Sequence, residues 1–255
     1  MYTGTIMIGV FRERDKLGRR LVLILRGLPC AYGKCTFCPF ALEQTLHTSR
    51  ILEENKKIIE EAIAIAEKEE YKRIAVFNGG SFHELPYQVI EELRPLAKDN
   101  IFEIEERSEY VTYDSVTALY NYYAPEKLII RVGFEVYDEE IREKKLRKGM
   151  PNTELYRVSG LREKLRSNGY NVEIWTYLLF GIESIPEDKV EESLYKFREL
   201  FDGIVAVRYK KYSPGHPEPV SVSEKLARLL EEYADLVDWG GEQWIIAGKE
   251  GSAPG

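Results

Sequence analysis

Apolar residues in this chain fall into short runs that alternate with longer stretches of helical period. Residues 21–25, Leu-Val-Leu-Ile-Leu, are bounded by charges and end at Gly27 and Pro29, which predicts a buried strand. Residues 53–69 then place Ile58, Ile59, Ala62, Ile63 and Ala66 on one face of a helix. A second strand, 73–77, is closed by Asn78-Gly79-Gly80. A helix follows Pro86, a residue suited to a first helical turn. Beyond it the pattern predicts strands at 101–105, 127–135, 170–180 and 203–209. Helices are predicted between and after them, at 115–122, 138–149, 153–167, 187–201 and 223–236. Short strands separated by helices imply a parallel sheet with right-handed crossovers. The six strand–helix units fit an open, partial (β/α)6 barrel of parallel strands, with its chemistry on loops at the C-terminal strand ends. A turn at 15–18 predicts a β-hairpin added to one edge.

Length and composition narrow the class. A chain of 255 residues is long enough for one domain with a full core, expected here over residues 1–250. The final Gly251-Ser252-Ala253-Pro254-Gly255 reads as a cloning remnant outside that domain. Apolar residues make up 44% and charged residues 31%, and no apolar run approaches the roughly 20 residues that span a bilayer. The first residues carry no basic-then-apolar leader pattern, so a cytoplasmic protein without membrane attachment is expected. The many Glu, Lys and Arg beside only three Gln resemble proteins from hot environments. A net charge of −7 argues against a protein that coats nucleic acid. Two local basic runs, 142–148 (REKKLRK) and 208–211 (RYKK), are candidates for phosphate contact or for ordinary solvated faces.

The three cysteines lie within nine residues, as Cys30-Ala-Tyr-Gly-Lys-Cys35-Thr-Phe-Cys38. A disulfide framework would spread an even number along the chain, so this cluster points to metal. Thiolates suit iron–sulfur clusters or zinc. For zinc, His47 is the candidate fourth ligand of a Cys3His site, although structural zinc usually staples smaller domains. For iron, three cysteines on a four-iron cube leave one iron open to a small molecule.

The C-x4-C-x2-C loop after the first barrel strand resembles that of the radical S-adenosylmethionine (SAM) superfamily, whose usual signature is C-x3-C-x-aromatic-C. Phe37 supplies the aromatic residue, and the first spacing is longer by one. Other strand ends extend the resemblance. Asn78-Gly79-Gly80-Ser81 stands where the family places a glycine-rich motif that meets the SAM amino group. Glu105 and Arg107 resemble a Glu-Thr-Arg motif of the Elp3-like subgroup, and Glu135 a residue near the SAM ribose or methionine. Leu179 and Gly181 fall in a segment like the one that contacts adenine. Within the superfamily the nearest resemblance is to the archaeosine-forming subunits of archaea, through Gly33-Lys34-Cys35-Thr36 and Gly80-Ser81-Phe82.

The resemblance implies a [4Fe–4S] cluster on Cys30, Cys35 and Cys38, SAM as cosubstrate, and an external electron donor. It further implies a lyase step on a lysine-bearing base in tRNA, with a partner subunit that delivers the tRNA. Two alternatives stand beside it: a radical SAM enzyme for a small molecule or peptide, and a non-catalytic zinc or iron–sulfur subunit. Thiotransferases and methyl-cysteine methyltransferases need further cysteines, and none remain. His83 is a candidate pocket residue, His216 a surface one, and the segment from Trp239 to Trp244 a candidate cap or entrance.

Overall fold

A computed structural model describes residues 8–38 and 44–240; the 251–255 tail and residues 241–244 of the tryptophan segment lie outside it. Among the described residues eight strands form one sheet in sequence order: β1 (Gly9–Asp15), β2 (Gly18–Ile24), β3 (Arg73–Phe77), β4 (Ile101–Glu106), β5 (Lys127–Glu135), β6 (Val172–Phe180), β7 (Gly203–Arg208) and β8 (Leu236–Asp238). The first two pair antiparallel as the expected hairpin, and every later pairing is parallel. The crossovers carry α1 (Thr48–Glu69), α2 (Tyr87–Glu92), α3 (Arg94–Ala97), α4 (Tyr113–Tyr123), α5 (Asn152–Ser167), α6 (Glu187–Leu200) and α7 (Glu224–Tyr233). This is the partial barrel of parallel strands, with a seventh parallel strand beyond the six expected. Among the described residues no helix is long and apolar enough to cross a membrane.

The two faces of the sheet differ in chemistry. Leu21, Leu23, Leu25, Ile74, Val76, Ile104 and Ile130 point toward the helices and pack with Ile51, Ile58 and Ala62 of α1 and their counterparts. Burying each such side chain is worth roughly 1.5–3 kcal/mol. Alternate residues face the lumen, where two small apolar clusters, Val22–Ile24–Ala75–Phe77 and Ile129–Trp175–Val205–Leu236, share space with charges. Glu103 is fully buried and accepts from Arg73 Nε and Arg131 Nη2, with Arg20 Nη1 at 3.7 Å. Arg73 also donates to Asp15 at 2.6 Å, and Arg20 to Glu13 at 3.1 Å. Five strands are thereby tied together inside the barrel. Across the gap between β1 and β8, Lys16 pairs with Glu231 at 3.0 Å.

Three expectations change. The helix expected at 138–149 is a single π-helical turn, Ile141–Lys145, followed by left-handed residues at Arg147 and Gly149. Arg142 lies at 0% exposure and donates to the carbonyls of Met150, Val136 and Tyr137 and to Asn152 Oδ1. It therefore serves the loop backbone and cannot meet phosphate. The last helix stops at Tyr233, because residues 236–238 pair with β7 as a strand too short to carry its own pattern. Helix α1 begins five residues earlier than predicted, at Thr48, which lets Ile51 reach full burial.

Burial alone would push the Glu103 carboxyl up, but the charges of Arg131, Arg73 and Arg20 outweigh it and hold it at about 2. Such a depressed carboxylate stabilises the fold above its unfolded pKa, and the contribution is lost as pH falls through the folded value. Glu103→Gln is expected to cost about 3–5 kcal/mol in denaturant unfolding near neutral pH, since it leaves buried arginines uncompensated. The difference from wild type is expected to shrink between about pH 4 and pH 2.

Candidate active site

The cysteine loop follows β2 and crosses the C-terminal ends of the strands. Gly27 starts it where a Cβ would meet the Asn78 carbonyl at 2.5 Å, so only glycine allows this crossing. The loop is then fastened from two sides, by Glu84 and by the 145–147 segment. The Ala31 N–H donates to Glu84 at 2.9 Å. The Thr36 N–H and hydroxyl donate to the Leu146 and Lys145 carbonyls at 3.0 and 2.9 Å. The Tyr32 hydroxyl donates to the Arg147 carbonyl at 2.8 Å. Cys30, Cys35 and Cys38 form no disulfide, are half-buried, and line one cavity at the barrel mouth.

Seven of the ten other expected site residues line the same cavity: Phe37, Gly79, Gly80, Glu105, Arg107, Glu135 and Leu179. Asn78, Ser81 and Gly181 stand behind its wall. The Asn78 amide donates to the Ser81 carbonyl at 3.0 Å, and Ser81 Oγ accepts the Arg107 N–H at 3.1 Å. Gly181, left-handed at φ 71°, offers its carbonyl to the Val220 N–H at 2.9 Å.

Several charges in the cavity are paired. The sheet register shifts between Val132 and Glu135, and Glu135 takes a φ of 67°, a conformation that costs a non-glycine residue about 1–3 kcal/mol. That irregularity turns its carboxylate onto Lys148 Nζ at 2.9 Å. A side chain at Gly133 would meet both partners, at 2.5 and 3.0 Å. Burial opposes the Lys148 charge, but Glu135 and then Cys35 sustain it, so its pKa is raised. Burial pushes the Cys35 thiol up, with Lys148 and Arg107 pulling against it. Glu105 receives the Tyr177 hydroxyl and is pushed up to about 7 by burial.

Several lining residues were not among the expected site residues. Lys148 sat inside a basic run, Tyr177 inside an apolar strand, and Arg131 faced the lumen from β5. Tyr209, Lys210 and Asp238 come from the β7–β8 side, where β8 itself was not predicted. His83 does not line the cavity; its ring bonds Glu106 through Nδ1 and stacks on Tyr110 at 5.6 Å. Trp239 packs edge-on against Phe180 at 5.1 Å and donates to Glu231, so it braces the end of β6 against α7. His47 precedes α1 and is likewise absent from the lining. Among the described residues no three His, Cys, Asp or Glu side chains form a metal-binding group. The donor set is three thiols of one loop beside two cations, which suits an anionic thiolate cluster better than a Cys3His site.

No protein-family model matches the chain. An uncharacterized protein of Methanocaldococcus jannaschii is 31% identical over 196 residues, 70% of this chain and 50% of that protein. The archaeosine synthase subunit beta of Methanosarcina acetivorans is 23% identical over 206 residues, 76% of this chain and 56% of that subunit. The chain thus spans about half the length of these relatives. Among solved structures, a queuine lyase from Clostridium spiroforme bound to SAM and queuine superposes with a TM-score of 0.68 at 21% identity, over 89% of each chain. Coproporphyrinogen III oxidase from Escherichia coli, a radical SAM enzyme, gives 0.55 at 13% identity, over 86% of this chain and 51% of that one. The fold is therefore one that radical SAM enzymes use.

Burial opposes protonation of His83, but its bond to Glu106 and that carboxylate's charge outweigh burial and raise its pKa. A raised histidine stabilises the fold below its unfolded pKa, and the contribution is lost as pH rises through the folded value. In Glu106→Gln the His83 pKa is expected to fall, read from imidazole resonances across a pH titration. An unchanged titration would mean that Glu106 does not hold the ring.

Proposed function

We propose that this chain is a radical SAM enzyme, holding a [4Fe–4S] cluster on Cys30, Cys35 and Cys38 and acting in tRNA base modification at an archaeosine-type C–N lyase step. The observation that carries the reading is the convergence of three thiols from one nine-residue loop on a cavity also lined by the ends of β3, β4, β5 and β6. The likeness in fold to a queuine lyase and in sequence to an archaeosine synthase subunit supports the class of base.

Bound there, the cluster would supply the electron that breaks the S–C5′ bond of SAM, giving a 5′-deoxyadenosyl radical to remove a substrate hydrogen. The chain's own residues orient and enclose. Gly79, left-handed at φ 67°, and Gly80 let the backbone approach the SAM ammonium without side-chain interference. Arg107 and Glu135 would present charges, and Glu105 a carboxyl that burial pushes up to about 7, to the polar ends of SAM, and Phe37 and Leu179 apolar walls to its adenosyl part. Asn78, Ser81 and Gly181 hold these walls in place. An electron donor is required, and a partner subunit that brings the tRNA is in keeping with the likeness to a protein described as a synthase subunit. The proposed setting is the cytoplasm.

A second reading has its own support. Burial of Arg142 and the Lys148–Glu135 pair remove two cations from the 142–148 run, which weakens it as an RNA-facing surface. A radical SAM enzyme acting on a small free base fits that finding.

Reconstituted anaerobically with iron and sulfide, reduced and given SAM, the protein is expected to form 5′-deoxyadenosine, and Cys35→Ala none. Coupling of that cleavage to modified tRNA, and not to the free base, would favour the tRNA reading. Persistent absence of 5′-deoxyadenosine from a cluster-loaded protein would refute both.

A further inference from the structure

The first cysteine spacing holds one residue more than the usual signature, and the fold shows where it goes. Gly33 is left-handed at φ 57°, and Tyr32 beside it packs against the 147–149 segment. Its hydroxyl reaches the Arg147 carbonyl, and its ring lies against Gly149, where a Cβ would meet it at 2.5 Å. The Arg107 guanidinium sits over that ring, 4.1 Å from the centroid. Arg107 also donates from both terminal nitrogens to the Lys148 carbonyl at 3.2 Å and from Nε to Glu109 at 2.6 Å. Burial opposes its charge, while Glu109, Cys35 and Cys30 favour it. The other aromatic residue of the loop, Phe37, has Lys148 Nζ 5.4 Å from its centroid.

We infer that Tyr32 is a positioning residue that seats the Arg107 charge beside the thiols and thereby sets the reduction potential of the cluster. The inference rests on the iron–sulfur reading above. Reduction adds negative charge, so a fixed cation nearby favours the reduced state and raises the potential; net charge and solvent access are the protein's main levers on it. Without the ring, the Lys148 carbonyl and the exposed Glu109 still hold Arg107, but the guanidinium loses its aromatic cover and water screens its charge.

The test is a midpoint potential, read by electron paramagnetic resonance during redox titration of cluster-loaded protein, with iron counted in each sample. Tyr32→Leu and Arg107→Met are expected to lower the potential, whereas Tyr32→Phe, which keeps the ring, stays near wild type. Tyr32→Leu added to Arg107→Met is expected to cause no further shift, because the two act through one charge. Wild-type potential in Tyr32→Leu, or additive shifts in the double variant, would overturn the inference alone. A wild type that takes up no iron–sulfur cluster would overturn it together with the function proposed above.

Discussion

The barrel depends on one buried carboxylate. Glu103 sits on β4 with no exposure and answers three arginines, from β2, β3 and β5. An open sheet of short parallel strands has no hydrogen-bonded closure to fix its curvature, and hydrophobic packing against the helices is not directional. Charged contacts across the lumen are. Arg73 extends the network to Asp15 on β1, so the antiparallel hairpin is bound to the parallel strands. The arrangement stabilises only as a set, because each arginine left alone in the lumen would carry a large desolvation penalty.

What the lumen fixes below, the strand ends use above. Arg131 links the two levels, donating to Glu103 and, at 3.4 Å, to the Tyr177 hydroxyl, which in turn holds Glu105 at the cavity floor. On the cavity's other side the 145–149 segment carries the load: its carbonyls receive Thr36, Tyr32 and Arg107, and its Lys148 reaches Glu135. The cysteine loop is thus built against a segment more than a hundred residues away, and its thiols face two cations that belong to that contact. These contacts hold the backbone of the loop against the 145–149 segment, although the three thiols are not gathered around a single-ion position.

Most of the fold was legible because period and punctuation agree. Runs such as 73–77 and 127–135 are apolar on both faces or nearly so, and glycines or prolines mark their ends. The cysteine loop stood out by its residue types, whereas the strand-end residues from Gly79 to Leu179 were picked out only through the family resemblance; the fold brings both to one cavity. The 138–149 segment was misread because charge density looks the same whether side chains meet solvent or carbonyls. Arg142 and Lys148 are buried for contacts that no local pattern encodes. Strand β8 has three residues and exists only through pairing with β7. Likewise Tyr177 and Asp238 become cavity residues through register, which a single sequence does not display.

The account turns on whether the three thiols hold a cluster with an iron open to SAM. The most direct measurement is the electron paramagnetic resonance spectrum of the reduced, reconstituted protein with and without SAM. The account predicts about four irons per chain, a [4Fe–4S]+ signal, and a change in that signal when SAM is added. One tightly bound zinc with no such signal, or a cluster signal indifferent to SAM, would contradict it.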